Sequence, residues 1–261
     1  MRHTAAVYRH EMIAHVRSAL EYPTEFWIMV AVGALSQALQ FAFITVLFGN
    51  ITAVAGWSYH EVLILVGFLS LSTALAGLFW DGIWGLGSMV LNGGMDYFIT
   101  RPAPVILQVA SHHLDLHSIG GATLGIAMAA YGWVGAGLGL AQIPVGLILL
   151  ACAVVIQSAL QTTLCAINFW IKGHMPVFAW VAQDLQNDTM RFPLTMYPTL
   201  VRQIATWALP FAFASFIPVQ ILTGRASPWW AIGILAAVVV NVVVAGLVCR
   251  AGLRSYDSAG S

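Results

Sequence analysis

From Leu116 to Ile171 the chain contains no Asp, Glu, Lys or Arg. Charged residues make up 8% of the whole sequence and hydrophobic residues 60%. A soluble domain usually carries about 25% charged residues, so a chain with this composition could not keep its surface hydrated. The sequence therefore predicts an all-α membrane protein that crosses the bilayer several times. The net charge is zero, so nothing points to a nucleic-acid partner.

Uncharged apolar stretches mark the predicted spans. A helix that crosses the bilayer needs about 20 apolar residues, so the stretch from Leu116 to Ile171 is too long for one span. The glycine-rich run that begins at Tyr131, together with Pro144, divides it into two. Five stretches are predicted to cross the membrane, namely 26–48, 62–80, 116–133, 144–170 and 229–249.

The distribution of basic residues predicts which side of the membrane each terminus occupies. Arginines flank both ends of the chain, and Arg101 and Lys172 lie in loops between spans. The positive-inside rule then places both termini in the cytoplasm, which requires an even number of crossings. Residues 1–25 carry arginines among apolar residues at helical spacing, and we expect a helix in the cytoplasmic interface that ends at Pro23.

Two stretches compete as the remaining span. Residues 176–195 are half apolar and carry several charges, whereas residues 203–224 are apolar but are interrupted by Pro210 and Pro218. Hydropathy favours the second stretch as the crossing one. Its two prolines indicate instead a pair of short helices that enter one leaflet and return. The residues alone leave both possibilities open.

Residues 81–104 separate the second and third predicted spans and are too polar and too rich in glycine to cross the membrane. Gly93 and Gly94 predict a turn, residues 95–99 can form one or two helical turns, and Pro102 ends them. A short amphipathic helix between two spans favours contact with a soluble partner. A solvated loop with no partner is the alternative.

Polar residues within the spans predict either a transport path or contacts between proteins. Gln37 and Gln40 lie three residues apart near the middle of the first span. Asp184, Asp188 and Arg191 lie at positions i, i+4 and i+7, which places them on one helical face. Exposure of such groups to lipid is costly, so they should pair, contact a partner permease or line a polar path. A segment that lies outside the membrane is the remaining alternative.

The histidines near the third span are candidates for a metal site. His113 and His117 lie one helical turn apart, next to His112, but no further set of ligands accompanies them. We therefore expect polar residues at the inner membrane surface and no metal. The three cysteines lie in apolar runs without a CxxC spacing and are expected to be core residues.

Two segments resemble known sequences in order and spacing. The stretch Asn-Gly-Gly-Met-Asp-Tyr-Phe-Ile-Thr-Arg-Pro-Ala-Pro at 92–104 is similar to the cytoplasmic signature of the permease subunits of the second class of ABC exporters. The segment Arg-Phe-Pro-Leu-Thr-Met-Tyr-Pro at 191–198 resembles a branch whose two permeases are often different proteins. The resemblance covers essentially the whole chain.

The resemblance implies a topology and a set of partners. It implies six spans, with a coupling helix between the second and third and re-entrant outer helices at 196–228 between the fifth and sixth. Residues 176–195 would then cross the membrane. The implied partners are cytosolic ABC ATPase subunits, a second permease, identical or homologous, and membrane lipids. The first and fifth spans of the two permeases would border the transport path.

The resemblance also implies roles for particular residues. Met95, Tyr97 and Phe98 would fill a groove on the ATPase, and Asp96 and Arg101 would lie at its rim. The complete coupling site would be Gly94, Met95, Asp96, Tyr97, Phe98, Arg101 and Pro102, and Tyr197, Pro198 and Arg202 would belong to an outer gate. Transport path or inter-permease contact is expected of Gln37, Gln40, Asp184, Asp188 and Arg191.

These expectations lead to a functional hypothesis. The chain has one lysine, Lys172, and no Gly-x-x-x-x-Gly-Lys motif, so ATP and magnesium are expected on a partner ATPase and no cofactor on this chain. We expect a non-enzymatic permease that exports an amphipathic or lipid-like substrate across the bacterial cytoplasmic membrane. A stand-alone secondary transporter or channel is the alternative, and an intramembrane enzyme lacks the paired catalytic groups that it would need.

Overall fold

The computed structural model describes Tyr8, Arg17, Ser18 and residues 21–256. Most of the interfacial helix predicted for 1–25 therefore lies outside the described residues. Within them, Tyr8 donates a hydrogen bond from its hydroxyl to the carbonyl oxygen of Phe79 at 2.7 Å. Pro23, which was expected to end that helix, is the first residue of the first long helix, because proline is well tolerated in the first turn.

The described residues form helices and no strand, as predicted for an all-α protein. The long helices are α1 (Pro23–Asn50), α2 (Tyr59–Trp80), α6 (His117–Gly135), α7 (Ile143–Ala166) and α13 (Trp230–Arg254). The shorter ones are α3 (Leu86–Leu91), α4 (Met95–Ile99), α5 (Val105–Ala110), α8 (Asn168–Ile171), α9 (Val177–Thr189), α10 (Thr199–Gln203), α11 (Phe211–Ala214) and α12 (Phe216–Leu222). Tighter turns at Asp81–Gly85, Leu140–Gln142 and Leu194–Met196, and a wide turn at Ile204–Ala208, join several of these.

Four helical stretches in the described part of the chain are long and apolar enough to cross a membrane. They are Pro23–Asn50, Tyr59–Leu91, Leu140–Ile171 and Trp230–Arg254. The first three contain the predicted spans 26–48, 62–80 and 144–170, and the fourth covers all but the first residue of 229–249. The chain is thus a multi-pass membrane protein, as the composition predicts.

The other two predicted spans form helices of a different character. Residues 116–133 correspond to α6, which has 19 residues and contains several glycines that lower its mean hydropathy. Residues 176–195 were predicted as one span, yet α9 has 13 residues and ends at Thr189. The helix stops early because the residue before Pro193 is disfavoured in the α conformation. At 1.5 Å per residue α9 is about 20 Å long, shorter than the hydrocarbon core of about 30 Å.

Two hydrophobic clusters lie towards opposite ends of the bundle. The first cluster surrounds the start of α2 and includes Trp57, Phe211 and Phe216. The second cluster surrounds the end of α2 and includes Ile83 and Phe169. Each cluster joins residues that are far apart in sequence, so the two together hold the long helices side by side.

Helix α9 has buried residues in both clusters, whereas the segment that follows it contributes buried residues to the first cluster. Ala179, near the start of α9, belongs to the second cluster, and Ala182 and Met190 belong to the first. Between 199 and 222 the chain forms short pieces broken at Pro210, and their buried side chains, such as Leu222, belong to the first cluster. The described chain therefore passes along the bundle in α9 and does not return along it before α13.

Glycines allow α6 to pack backbone to backbone against its two neighbours. A Cβ atom on Gly120 would overlap the carbonyl oxygen of Val30 in α1. On the other side of α6, a Cβ atom on Gly67 of α2 would lie 2.7 Å from the amide nitrogen of Ala129. Close approach at small residues is the usual way in which helices associate in lipid, where no hydrophobic effect drives them together.

An ion pair fixes the end of the bundle that carries the first cluster. Arg225 donates from Nε and Nη2 to the two carboxylate oxygens of Glu61 at 2.7 and 2.8 Å, and also to the carbonyl oxygen of Gly56 at 2.8 Å. Glu61 in turn forms a capping box with Ser58 at the start of α2. The loop before α13 is thereby tied to the loop before α2, a contact that the sequence reasoning did not find.

We expect Gly120→Ala to destabilise the protein by about 1–3 kcal/mol, because the added methyl group forces α1 and α6 apart. Thermal unfolding of the detergent-purified protein, followed by tryptophan fluorescence, measures the effect. Gly246→Ala in α13 is the matched control, since a Cβ atom there meets nothing within 4 Å. Equal melting temperatures for the two variants would contradict close packing at Gly120.

We expect Arg225→Ala to destabilise the protein by about 1.5–3 kcal/mol, because it leaves the Glu61 carboxylate without its charged hydrogen-bond donor. Arg225→Lys keeps the charge but cannot bond both carboxylate oxygens, so its loss should be intermediate. The same unfolding measurement compares the two. An Arg225→Ala protein that melts with the wild type would show that the pair does not support this end of the bundle.

Candidate functional site

The predicted coupling segment forms a compact hairpin between α3 and α5. Gly93 adopts a φ of 74°, a left-handed conformation that favours glycine, and Gly94 precedes α4. After α4, the side-chain amide of Gln108 donates to the carbonyl oxygens of Phe98 at 3.2 Å and Ala103 at 2.8 Å. These bonds hold the loop that contains Pro102 against α5.

Two of the three predicted partner anchors are buried within this chain. Met95 is 0% exposed and Phe98 is 3% exposed, and both belong to the second cluster. In this chain they pack into its own core, and the groove on the ATPase stays a prediction. One face of the single helical turn packs against the core of the hairpin, and Met95 and Phe98 occupy that face.

The opposite face of α4 is open to a partner. Tyr97 is 52% exposed and Ile99 is 45% exposed. The guanidinium of Arg101 donates a hydrogen bond to the Tyr97 hydroxyl, and its Cζ atom lies 3.8 Å from the centre of the Tyr97 ring. Tyr256, which follows α13, packs against the second cluster, to which α4 also belongs. Burial and the neighbouring Asp96 carboxylate raise the pKa of the Tyr256 hydroxyl.

The second cluster connects the coupling hairpin to the long helices. Its buried members include Met95 and Phe98 from α4, Cys165 from the end of α7 and Cys249 from the end of α13. Helix α8, which follows α7, also touches the end of α13, because a Cβ atom on Gly252 would overlap the ring of Phe169. The second cluster therefore places α4 in contact with the ends of α7 and α13.

A cavity of about 580 Å³ lies among α1, α2, α6 and the end of α9. Of the predicted path residues, Gln37, Gln40 and Arg191 line it, and Asp184 and Asp188 do not. The other lining residues are Ser36, Leu39, Phe43, Leu69, Ser70, Thr73, Ala74, Asp115, His117, Ser118, Gly121 and Asn187. Such a volume lies within the range of small-molecule sites.

Aromatic contacts join α1 to the residues that follow α9. The ring centres of Phe43 and Phe192 lie 6.2 Å apart, and the Cζ atom of Arg191 lies 5.9 Å from the centre of the Phe43 ring. Because Arg191 and Phe43 both line the cavity, this contact forms the wall nearest the first cluster.

A smaller cavity of about 200 Å³ continues towards the coupling hairpin. It shares Thr73, Asp115, Ser118 and Asn187 with the larger cavity. Its other lining residues are Ala76, Gly77, Asp81, Trp84, Gln157, Gln161 and Gln183. Polar side chains thus follow the inner faces of α2 and α9 from the large cavity to the end of α2.

Glutamines of α7 belong to this polar interior, although the sequence reasoning did not select them. The Gln157 and Gln186 side chains exchange hydrogen bonds of 2.7 and 2.9 Å. Gln161 lies one turn from Gln157 in the same span and also lines the smaller cavity. The argument that selected Gln37 applies equally to polar residues in any uncharged span and could have found them.

The predicted face of Asp184, Asp188 and Arg191 is not formed as expected. Helix α9 ends at Thr189, so Arg191 lies beyond the helix and lines the cavity, whereas the two aspartates are exposed and line neither cavity. Asp188 is 78% exposed at its side chain, and its Oδ1 lies 3.7 Å from Nη2 of Arg191.

The histidines before α6 make hydrogen bonds within the chain. His113 donates from Nδ1 to a carboxylate oxygen of Asp81 at 2.7 Å, and this bond raises the pKa of His113 despite its partial burial. Asp115 accepts hydrogen bonds from the Ser118 hydroxyl and from the backbone amide of His117, the latter at 3.0 Å. Across the described ranges no three His, Cys, Asp or Glu side chains come together as a metal site.

The predicted outer-gate residues lie between α9 and α10. The Tyr197 hydroxyl donates to the carbonyl oxygen of Asp188 at 3.3 Å, and Pro198 directly precedes α10. Arg202 is exposed on α10, and its guanidinium lies 3.5 Å from the Thr199 hydroxyl. The structure therefore brings Tyr197 to the end of α9 but leaves Arg202 apart from the cavity.

A comparison with protein-family models identifies the family to which this chain is related. Residues 34–260 match the model described as "ABC-2 family transporter protein". Neither the search of curated proteins nor the search of solved structures found a match. The match covers most of the chain and confirms the resemblance drawn from residues 92–104. The chain belongs to the ABC-2 transporter family and is a membrane-embedded transport component.

Proposed function

We propose that this chain is the permease of an ABC exporter and that a separate ATPase drives it through the exposed face of α4. The observation that carries the proposal is the coupling hairpin itself. One face of α4 is packed into the second cluster, and the other presents Tyr97 and Ile99 to the surface. Exposed aromatic and apolar side chains of this kind are typical anchors at protein interfaces.

The ATP-driven step has to be supplied by another chain. This sequence has no phosphate-binding loop, and its one lysine, Lys172, is followed by Gly173 without the preceding glycine of such a motif. ATP and magnesium therefore belong on cytosolic ABC ATPase subunits, and this chain supplies the surface that the ATPase subunits bind.

The proposed topology has six spans and both termini in the cytoplasm of a bacterial cell. The passage of α9 from the second cluster to the first supports 176–195 as the fifth crossing. The short pieces between 196 and 228 remain with the first cluster and serve as re-entrant outer helices. Irregular backbone at membrane depth is tolerated where protein buries it, as at Phe211 and Ile217.

The proposed mechanism is alternating access driven by rigid-body movement. ATP binding closes the two ATPases, and α4 moves with them. The second cluster passes that movement to α7 and α13. Helix α7 contacts α9, which borders the cavity, so the movement changes the cavity. Opening of the contact between Phe43 and Phe192 would then release the substrate on the outer side.

The exposed face of α9 supports a second permease as a partner. Asp184 and Asp188 lie beside exposed apolar residues such as Val181 and Leu185. Carboxylates exposed to lipid are costly, so this face needs either another protein or water against it. A second permease, identical or homologous, would provide both, with the transport path between the two halves.

An amphipathic or lipid-like substrate suits the lining of the large cavity. Amides of Gln37 and Gln40 occupy one part of the lining, and Leu39 and Phe43 occupy another. A substrate with a polar part and an apolar part would contact both without leaving buried polar groups unpaired.

We expect the double variant Tyr97→Ala with Ile99→Ala to lose copurification with the ATPase while keeping its melting temperature, because both side chains are exposed. Phe98→Ala should instead lower stability by about 3–5 kcal/mol, as expected for truncation of a buried aromatic ring. Copurification from native membranes, together with thermal unfolding, measures both effects.

Leu140→Ala is the control for that experiment, since it truncates an exposed apolar side chain far from the hairpin. It should retain the ATPase. If the wild-type chain purifies alone and catalyses transport in vesicles without nucleotide, the proposed function fails and a secondary transporter replaces it.

We expect single cysteines at positions 172 and 200, which flank α9 in the sequence, to label from opposite sides of the membrane. In a cysteine-free background, Leu200→Cys should react with a membrane-impermeant maleimide added to intact cells. Lys172→Cys should react only after permeabilisation. Ala226→Cys, near Arg225, is the control for the outer side. Labelling of positions 172 and 200 from one side would exclude 176–195 as a crossing segment.

A further inference from the structure

We propose that Arg191 forms an anion-binding subsite in the large cavity and that the transported substrate is an amphiphile with an anionic, hydrogen-bonding headgroup. This inference rests on the proposed function and names the substrate class for the same cavity. The subsite lies beside Phe43, where α1 meets the residues that follow α9.

The charge of the cavity lining favours an anion. Among the described residues that line it, Arg191 is the one arginine or lysine. The one carboxylate in the lining is Asp115, and it already accepts hydrogen bonds from the Ser118 hydroxyl and the His117 amide. Asp115 is therefore held by its own neighbours, whereas the guanidinium is available to a ligand.

The guanidinium of Arg191 is incompletely satisfied by the described residues. Its Nε atom is buried without a hydrogen-bond partner among them. Its Nη2 atom lies 3.7 Å from Asp188, which is beyond hydrogen-bond distance, and that carboxylate is mostly solvated. Such an exposed pair contributes little, whereas a phosphate or carboxylate could accept two parallel bonds from the guanidinium.

Neutral donors and acceptors line the same cavity. The hydroxyl of Thr73 is buried and has no hydrogen-bond partner among the described residues. Gln40 and Asn187 add two side-chain amides to the lining, and Gln37 is held in place by a 2.8 Å hydrogen bond from Ser70. Buried polar groups without partners are rare, so Thr73 and Arg191 in one cavity indicate a polar ligand.

The apolar part of the lining continues onto the surface of α1. Leu39 and Phe43 line the cavity and are themselves exposed, and Leu35 lies exposed one turn before Leu39. An acyl chain can therefore lie along α1 in the lipid while its headgroup enters the cavity. This arrangement buries the charge without burying the whole molecule.

The test uses dihexanoyl phosphatidic acid as the probe and the full-length chain purified in a neutral detergent. Binding is measured by ligand-dependent thermal shift and by native mass spectrometry. Wild-type protein should bind the probe saturably. Arg191→Gln should weaken binding at least about tenfold, the effect of losing a charged hydrogen bond. Arg250→Gln, at the far end of α13 and outside the cavity, should stay within about twofold of wild type.

Two further probes separate the possible sources of the anion. Dihexanoylglycerol has the same chains without the phosphate, and glycerol 3-phosphate has the phosphate without the chains. Both should bind at least about tenfold more weakly than phosphatidic acid if charge and chains each contribute. Equal binding of dihexanoylglycerol would overturn the anion subsite, and equal binding of glycerol 3-phosphate would overturn the amphiphile.

A second variant keeps the test decisive if Arg191→Gln does not fold. Thr73→Val removes the unpaired hydroxyl at nearly constant volume and should weaken binding of the probe about threefold to tenfold. Unchanged affinity in Arg191→Gln or, if that variant does not fold, in Thr73→Val would overturn the proposal. Copurification with the ATPase is measured in parallel, so that failure of the subsite is distinguished from failure of the transporter assignment.

Discussion

The packing of Met95 and Phe98 into the second cluster is the interaction on which the rest of the structure depends. These side chains join a helix of a single turn to the ends of α7 and α13. A close-packed apolar contact is stiff, so it transmits movement instead of absorbing it. The same burial leaves the partner-facing surface of α4 to Tyr97 and Ile99.

A second constraint is that polar groups inside a membrane protein need partners. In this chain the partners are backbone carbonyl groups, as for Gln108, or other side chains, as in the paired amides of Gln157 and Gln186. Among the buried atoms of the described residues that lack a partner, those of Thr73 and Arg191 are informative because both residues line the same cavity. Most of the polar interior is thus structural, and a small part of it remains for a ligand.

Much of the fold could be predicted from the sequence, but less of the site could. The length of the uncharged apolar stretches was enough to locate four helices that can cross a membrane, because the thickness of the bilayer sets the helix length that a crossing needs. The early end of α9 was missed, since the break at Pro193 competed with a hydropathy pattern that continued beyond it. Burial of Met95 and Phe98 could not be predicted, because a five-residue helix does not reveal which face meets the core.

The close seam between α1 and α6 has a consequence for how the cavity can change size. With Gly33 and Gly120 in backbone contact with the neighbouring helix, α1 and α6 cannot slide or separate without losing that fit. They therefore form a fixed wall, and α2 is bound to the same wall through Gly67. The remaining element at the cavity is the end of α9, so we expect a change in the size of the cavity to involve that helix.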